Sequence, residues 1–155
     1  MSNEHPNFAG FYAAWESLNK KPGATADIRR VSSMDELLDL PAFYRLVEPF
    51  GWHADLKPWD KERWQRLVFF VNQVTDKGEN SLGKALALSG KISDKRLFQI
   101  VRADSPNDIT QLRRLLKQAA PEVSWQKMAT QLWYWDLRQK RSLLEDFVLN
   151  QKTKD

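Results

Sequence analysis

Between Ser81 and Gln118 the chain carries eight lysines and arginines: Lys84, Lys91, Lys95, Arg96, Arg102, Arg113, Arg114 and Lys117. Only Asp94, Asp104 and Asp108 oppose them, so the stretch is net +5 while the whole chain is +4. The excess positive charge is regional. Ammonium and guanidinium groups gathered on one surface neutralise phosphates and release the counterions condensed on nucleic acid. The chemistry these residues support is therefore sequence-independent attraction to a phosphate backbone. For any one of them a solvated surface is the ordinary place. It is the set, lacking the Glu partners at i+4 that balance ordinary surface helices, that points to a binding surface.

Other chemistries find few residues to work with. Two histidines far apart, no cysteine and no glycine-rich phosphate loop leave no nucleophile–base pair. Asp35, Glu36 and Asp39 stand where a helix start and its solvated face want acids, and Glu145-Asp146 falls on the polar side of the last helix. His-plus-carboxylate metal spacing is absent. The expectation is a protein that is not an enzyme and needs no cofactor or metal.

Two helices must position the cations. In the first, Leu97, Phe98, Ile100 and Val101 fall on one side of the helical wheel, and Lys95, Gln99 and Arg102 on the other, with Arg96 on the flank. In the second, Asn107 or Asp108 caps, and Ile109, Leu112, Leu115, Leu116 and Ala119 make the buried stripe. Arg113, Arg114 and Lys117 then share the exposed arc.

The remaining chain reads as further helices. Residues 1–7 look like a loose arm, and Phe8, Phe11, Tyr12, Trp15 and Leu18 then recur with the spacing of a buried helical seam. Pro22-Gly23 breaks that helix, and a short one over 25–31 carries Arg29 and Arg30. Ser33 with Glu36 has the capping-box spacing, and Pro41 suits the first turn of the next helix. Over 60–75 apolar residues cover most of the wheel, which suits a helix in the middle of a bundle. DKGEN at 76–80 is the best internal boundary. Beyond the basic stretch, Trp125, Met128, Ala129, Leu132 and Trp135 mark one helix. A last one buries Leu143, Leu144, Phe147 and Val148, with Arg138 opposite and Arg141 able to pair with Glu145. The tail NQKTKD is expected to fray.

The predicted fold is all-α, about eight or nine helices packed as two small bundles sharing a seam, 1–80 and 81–155, with much of the basic surface on the second. No apolar run approaches the ~20 residues that span a bilayer. The start lacks a secretion signal, and the absence of cysteine suits a reducing compartment. The expected setting is cytoplasmic, with no membrane partner.

Four blocks carry a resemblance: DIRRVSSMDELLDLPAFYRLVEPFGW (27–52), SLGKALALSGKISDKRLFQIVRAD (81–104), DITQLRRLLKQAAP (108–121) and LLEDFVL (143–149). In order along the chain, they resemble the CasB family, the small subunit of type I-E CRISPR Cascade complexes. The resemblance implies an all-helical, non-catalytic subunit of an RNA-guided surveillance complex. It further implies contacts with backbone subunits, the large subunit and a second copy of itself, and a role at the guide RNA–target DNA hybrid and the displaced strand. In guided recognition base pairing selects the sequence, while the protein stabilises backbones.

Carried over residue by residue, the resemblance selects Arg30 in IRRV, Lys84 in SLGKAL, Lys91 in SGKI, Arg96 in DKRLFQ, Arg102 in VRAD, Arg114 in QLRRLL and Arg138, with Arg29, Lys95 and Arg113 adjacent. The chain departs from the family pattern at Ser105, where some relatives carry a cation. It departs again at HADLKPW after Gly51, where Lys57 stands in for an arginine-bearing loop. The competing expectation is a helical protein–protein adaptor without nucleic-acid contact, presenting Phe69, Trp133 and Tyr134.

Overall fold

A computed structural model describes residues 5–151. Residues 1–4 of the expected arm and 152–155 of the expected fraying tail lie outside the described residues. Nine α-helices, two 3₁₀ turns and one pair of two-residue strands make up the described chain, so the fold is predominantly α as expected. It divides into two compact units, residues 1–72 and 73–155. The division falls just ahead of DKGEN.

In the first unit, α1 (Phe8–Asn19) starts where the Asn7 side chain accepts the Gly10 N–H at 2.9 Å, and it buries Phe8, Phe11, Tyr12 and Trp15. After α2 (Ala26–Arg30), the Glu36 carboxylate reaches back to the N–H groups of Ser33 (3.0 Å) and Ser32 (3.1 Å), which is the back-bond of a capping box. The helix it starts, Met34–Asp39, is of the 3₁₀ type. Pro41 opens α3 (Pro41–Val47), and a 3₁₀ turn, Glu48–Phe50, ends at Gly51, whose φ of 124° lies where side chains are penalised. The last helix, α4 (Pro58–Val71), is buried without interruption from Trp64 to Val71. That span includes Gln65, which donates to the Met34 carbonyl at 3.0 Å. The helix stops at Val71, short of the expected Thr75.

The second unit begins with β1 (Thr75–Asp76), which pairs in parallel with β2 (Glu122–Val123). Four helices of this unit are capped by their own preceding residue. Ser81 caps α5 (Leu82–Ser89), Ser93 caps α6 (Asp94–Arg102), Ser124 caps α8 (Trp125–Trp133) and Asp136 caps α9 (Leu137–Asn150). Between α6 and β2 runs α7 (Asn107–Ala119). Its N-cap position is Pro106, so neither Asn107 nor Asp108 caps it as expected. Trp135 lies beyond the end of α8. On α9, Leu143 and Phe147 are buried, but Leu144 is only half-buried and Val148 is exposed. Arg141 and Glu145 form no ion pair among the described residues.

Helix α5 packs on α9 through Gly83. A Cβ there would stand 2.8 Å from the Asp146 Cβ and 2.8 Å from the Leu143 carbonyl oxygen. Backbone cannot yield cheaply, so Gly83→Ala is expected to cost about 1–3 kcal/mol of stability, read as a lower thermal midpoint. An unchanged midpoint would mean that the two helices can separate without loss.

Candidate nucleic-acid interface

Helices α6 and α7 pack together, and each turns a cationic side outward. On α6, burial of Leu97 and Ile100 leaves Lys95, Arg96, Phe98, Gln99 and Arg102 exposed. On α7, burial of Ile109, Leu112, Leu115, Leu116 and Ala119 leaves Arg114, Lys117 and Gln118 exposed. Between the two lies an open hollow of about 480 Å³ lined by Arg96, Gln99, Ile100, Gln111 and Arg114. Its polar lining repeats one motif: Arg96/Gln99 and Gln111/Arg114 are both i,i+3 pairs, each projecting a guanidinium and an amide to the same side. Guanidinium donors match phosphate oxygens in a fork, and amides add neutral donors and acceptors.

Arg96 has a hydrogen-bond partner on α7. Its guanidinium donates to the Gln118 side-chain oxygen, and the Gln118 amide in turn donates to the Lys91 carbonyl at 3.3 Å. The Arg102 guanidinium lies 5.5 Å from the centre of the Phe98 ring. Neither arginine, nor Arg114, forms an ion pair among the described residues. Lys84, Lys91 and Lys95 are exposed and equally without a carboxylate. Lys91 borders a second hollow of about 400 Å³ beside Ala120 and Pro121. Arg138 is exposed in the first turn of α9, an end of the helix whose dipole disfavours cations.

Two expectations on these helices are corrected. Arg113 is not on the exposed arc: it is buried, with 4% of its surface accessible. It stands four residues after Ile109 and three before Leu116, which sets it within the apolar stripe. Phe98, expected among the core residues of α6, is 48% exposed. The stripe is centred between Leu97 and Ile100, and Phe98 falls on the far side with Lys95 and Arg102.

The first unit holds the other two candidates. Arg29 and Arg30 are exposed on α2, and Arg30 pairs with Asp27 at 3.7 Å. Both partners of that pair are about three-quarters exposed (76% and 73%), so the pair contributes little and leaves the arginine available. The adaptor surface is corrected as well: Phe69 and Trp133 are buried, and Tyr134 is partly so.

Sequence reasoning missed a buried ion pair in this unit. Asp108 is 2% exposed and lies 3.1 Å from the Lys140 ammonium, itself buried. The carboxylate also accepts the Trp135 indole N–H at 3.0 Å and the Ile109 N–H at 2.7 Å. Lys140 also donates to the Ala103 carbonyl at 2.9 Å. The network thus joins the end of α6, the start of α7 and the first turns of α9. Gln99 and Gln111 were also missed as lining residues, although their i,i+3 spacing from Arg96 and Arg114 was available. Among the described residues, no group of three or more His, Asp or Glu is placed to hold a metal ion. No helix among the described residues is long and apolar enough to cross a membrane.

A sequence profile of the family described as CRISPR-associated protein Cse2 matches residues 24–148. The CRISPR system Cascade subunit CasB of Escherichia coli (strain K12) is 46% identical over 149 residues, covering 89% of this chain and 90% of that protein. The fold superposes on a chain in the crystal structure of E. coli Cascade bound to a PAM-containing double-stranded DNA target with a TM-score of 0.86. That match has 45% identity and covers 95% of this chain and 97% of that one. The crystal structure of CasB from Thermus thermophilus shares the fold at a TM-score of 0.66 with 16% identity, covering 93% and 99% of the two chains.

Proposed function

The chain belongs to the CRISPR-associated Cse2 family, and from that premise we propose that it serves as a non-catalytic subunit of an RNA-guided, DNA-targeting Cascade assembly. Its basic surface stabilises the guide RNA–target DNA hybrid and the displaced strand through phosphate contacts that do not depend on sequence. The observation that carries this reading is the hollow between α6 and α7, where Arg96 and Arg114 face one space with no acid paired to either. Unpaired cations around an open groove suit a backbone that runs past. Arg102, Lys95, Lys91, Lys84 and Arg138 extend the cationic surface of the same unit, and Arg29 with Arg30 supplies a separate contact from the first.

In such an assembly the protein also docks on other subunits, namely the backbone subunits, the large subunit and a second copy of itself. Support for protein contact comes from α9, where Leu137, Val148 and Leu149 are exposed (47%, 45% and 75%). Docking raises the local concentration of the cationic surface at the nucleic acid, so weak intrinsic attraction becomes effective.

Two measurements test the proposal. Expressed with its genomic neighbours, the protein should co-purify with a particle that contains guide RNA. Purified alone at low salt, it should retard single-stranded DNA of unrelated sequences equally, with affinity falling linearly on a logarithmic salt scale. A particle that assembles without this chain, or retardation confined to one sequence, would overturn the reading.

A further inference from the structure

We infer that Phe98 is a stacking platform for an unpaired base, which makes the outer face of α6 a site for single-stranded rather than duplex nucleic acid. The inference rests on the phosphate-binding reading of this surface and adds what the strand presents besides its backbone. Phe98 leaves nearly half of its surface, 48%, open to solvent in the middle of a cationic face. Lys95 stands three residues before it and Arg102 four residues after it, so cation, ring and cation follow one another along one side of the helix. The Arg102 guanidinium lies 5.5 Å from the ring centre, within cation–π range.

An exposed phenylalanine among cations has no use for a phosphate, which an apolar ring cannot bind. What suits it is a second π-face, and a nucleobase offers one only when it is not stacked inside a duplex. The flanking cations then meet the phosphates on either side of the stacked nucleotide. Because every base has a π-face, the platform tolerates any sequence, in keeping with a protein that reads none. An apolar side chain of a neighbouring protein is the other occupant of such a ring, but it gains nothing from Lys95 and Arg102 beside it, and charge complementarity favours the nucleic acid.

The test compares two oligonucleotides of equal length and phosphate charge, oligothymidine and an abasic oligomer, binding to the full chain at low salt. Wild type should prefer oligothymidine by about five- to a hundredfold, the range one stacked base supplies. Phe98→Ala and Phe98→Leu should bring the ratio close to one while leaving the affinity for the abasic oligomer unchanged. Phe98→Trp should preserve or raise it. Equal wild-type binding of the two oligomers, or a preference that survives in Phe98→Leu, overturns stacking while leaving the phosphate reading intact. The second of those results would mark Phe98 as an apolar contact only. Failure to bind either oligomer overturns both.

Discussion

Replacing Arg96 and Arg114 together with glutamate should lower the affinity for single-stranded DNA by about two orders of magnitude at low salt. The two side chains face the same hollow, so the double change substitutes two repulsive charges for two attractive ones at a single stretch of backbone. The loss should shrink as salt is added, because the steepness of the logarithmic salt dependence falls by about 0.7 for each phosphate contact removed on a single strand. A matched control is Lys20→Glu with Lys21→Glu, two exposed cations on the first unit that alter net charge by the same amount. That pair should change affinity only slightly. If both double variants lose affinity equally, the attraction is a property of net charge and the hollow has no special part in it. Thermal stability should hardly move in the arginine variant, since among the described residues the hydrogen bond forfeited is the exposed one from Arg96 to Gln118.

Lys140→Met should have the largest effect on stability, a loss of about 3–5 kcal/mol. The change leaves the Asp108 carboxylate buried with two neutral N–H donors, Trp135 and Ile109, and no counter-charge. For a unit of this size that corresponds to a fall in thermal midpoint of more than about 10 °C. Adding Asp108→Leu should restore part of the loss, because an isolated buried charge is costlier than a missing pair. Restoration stays incomplete, since the Trp135 indole and the Ala103 carbonyl are then left without partners. Urea denaturation followed by circular dichroism reads both variants. A cost below about 1 kcal/mol for Lys140→Met would show the pair to be dispensable. The two predictions also separate the two roles in this unit: the hollow is expected to act on nucleic acid with little effect on folding, and the buried pair the reverse.

Much of the helical layout is legible locally. An apolar residue every third or fourth position is enough to place α1, α3, α6, α7 and α9, and a capping side chain (Asn7, Ser93, Asp136) or Pro41 marks the start of all but α7, because both signals act within one or two turns. The regional excess of cations is likewise plain from composition, and so is the family resemblance. Arg113 and Phe98 exchanged their expected places for a reason that was partly legible too. Each sits beside a residue of the buried stripe, and only a wheel centred on the whole stripe tells inside from outside.

What the amino-acid sequence determined alone is therefore the set of helices and the sign of their outward faces, since hydrogen bonding and amphipathicity repeat over a few residues. Tertiary structure decided which cations share a space, that a parallel strand pair forms between Thr75-Asp76 and Glu122-Val123, and that Asp108 meets Lys140 across 32 residues of chain. Those pairings depend on how helices pack, and the free energy that selects one packing is spread over the entire buried surface and written in no short stretch of it.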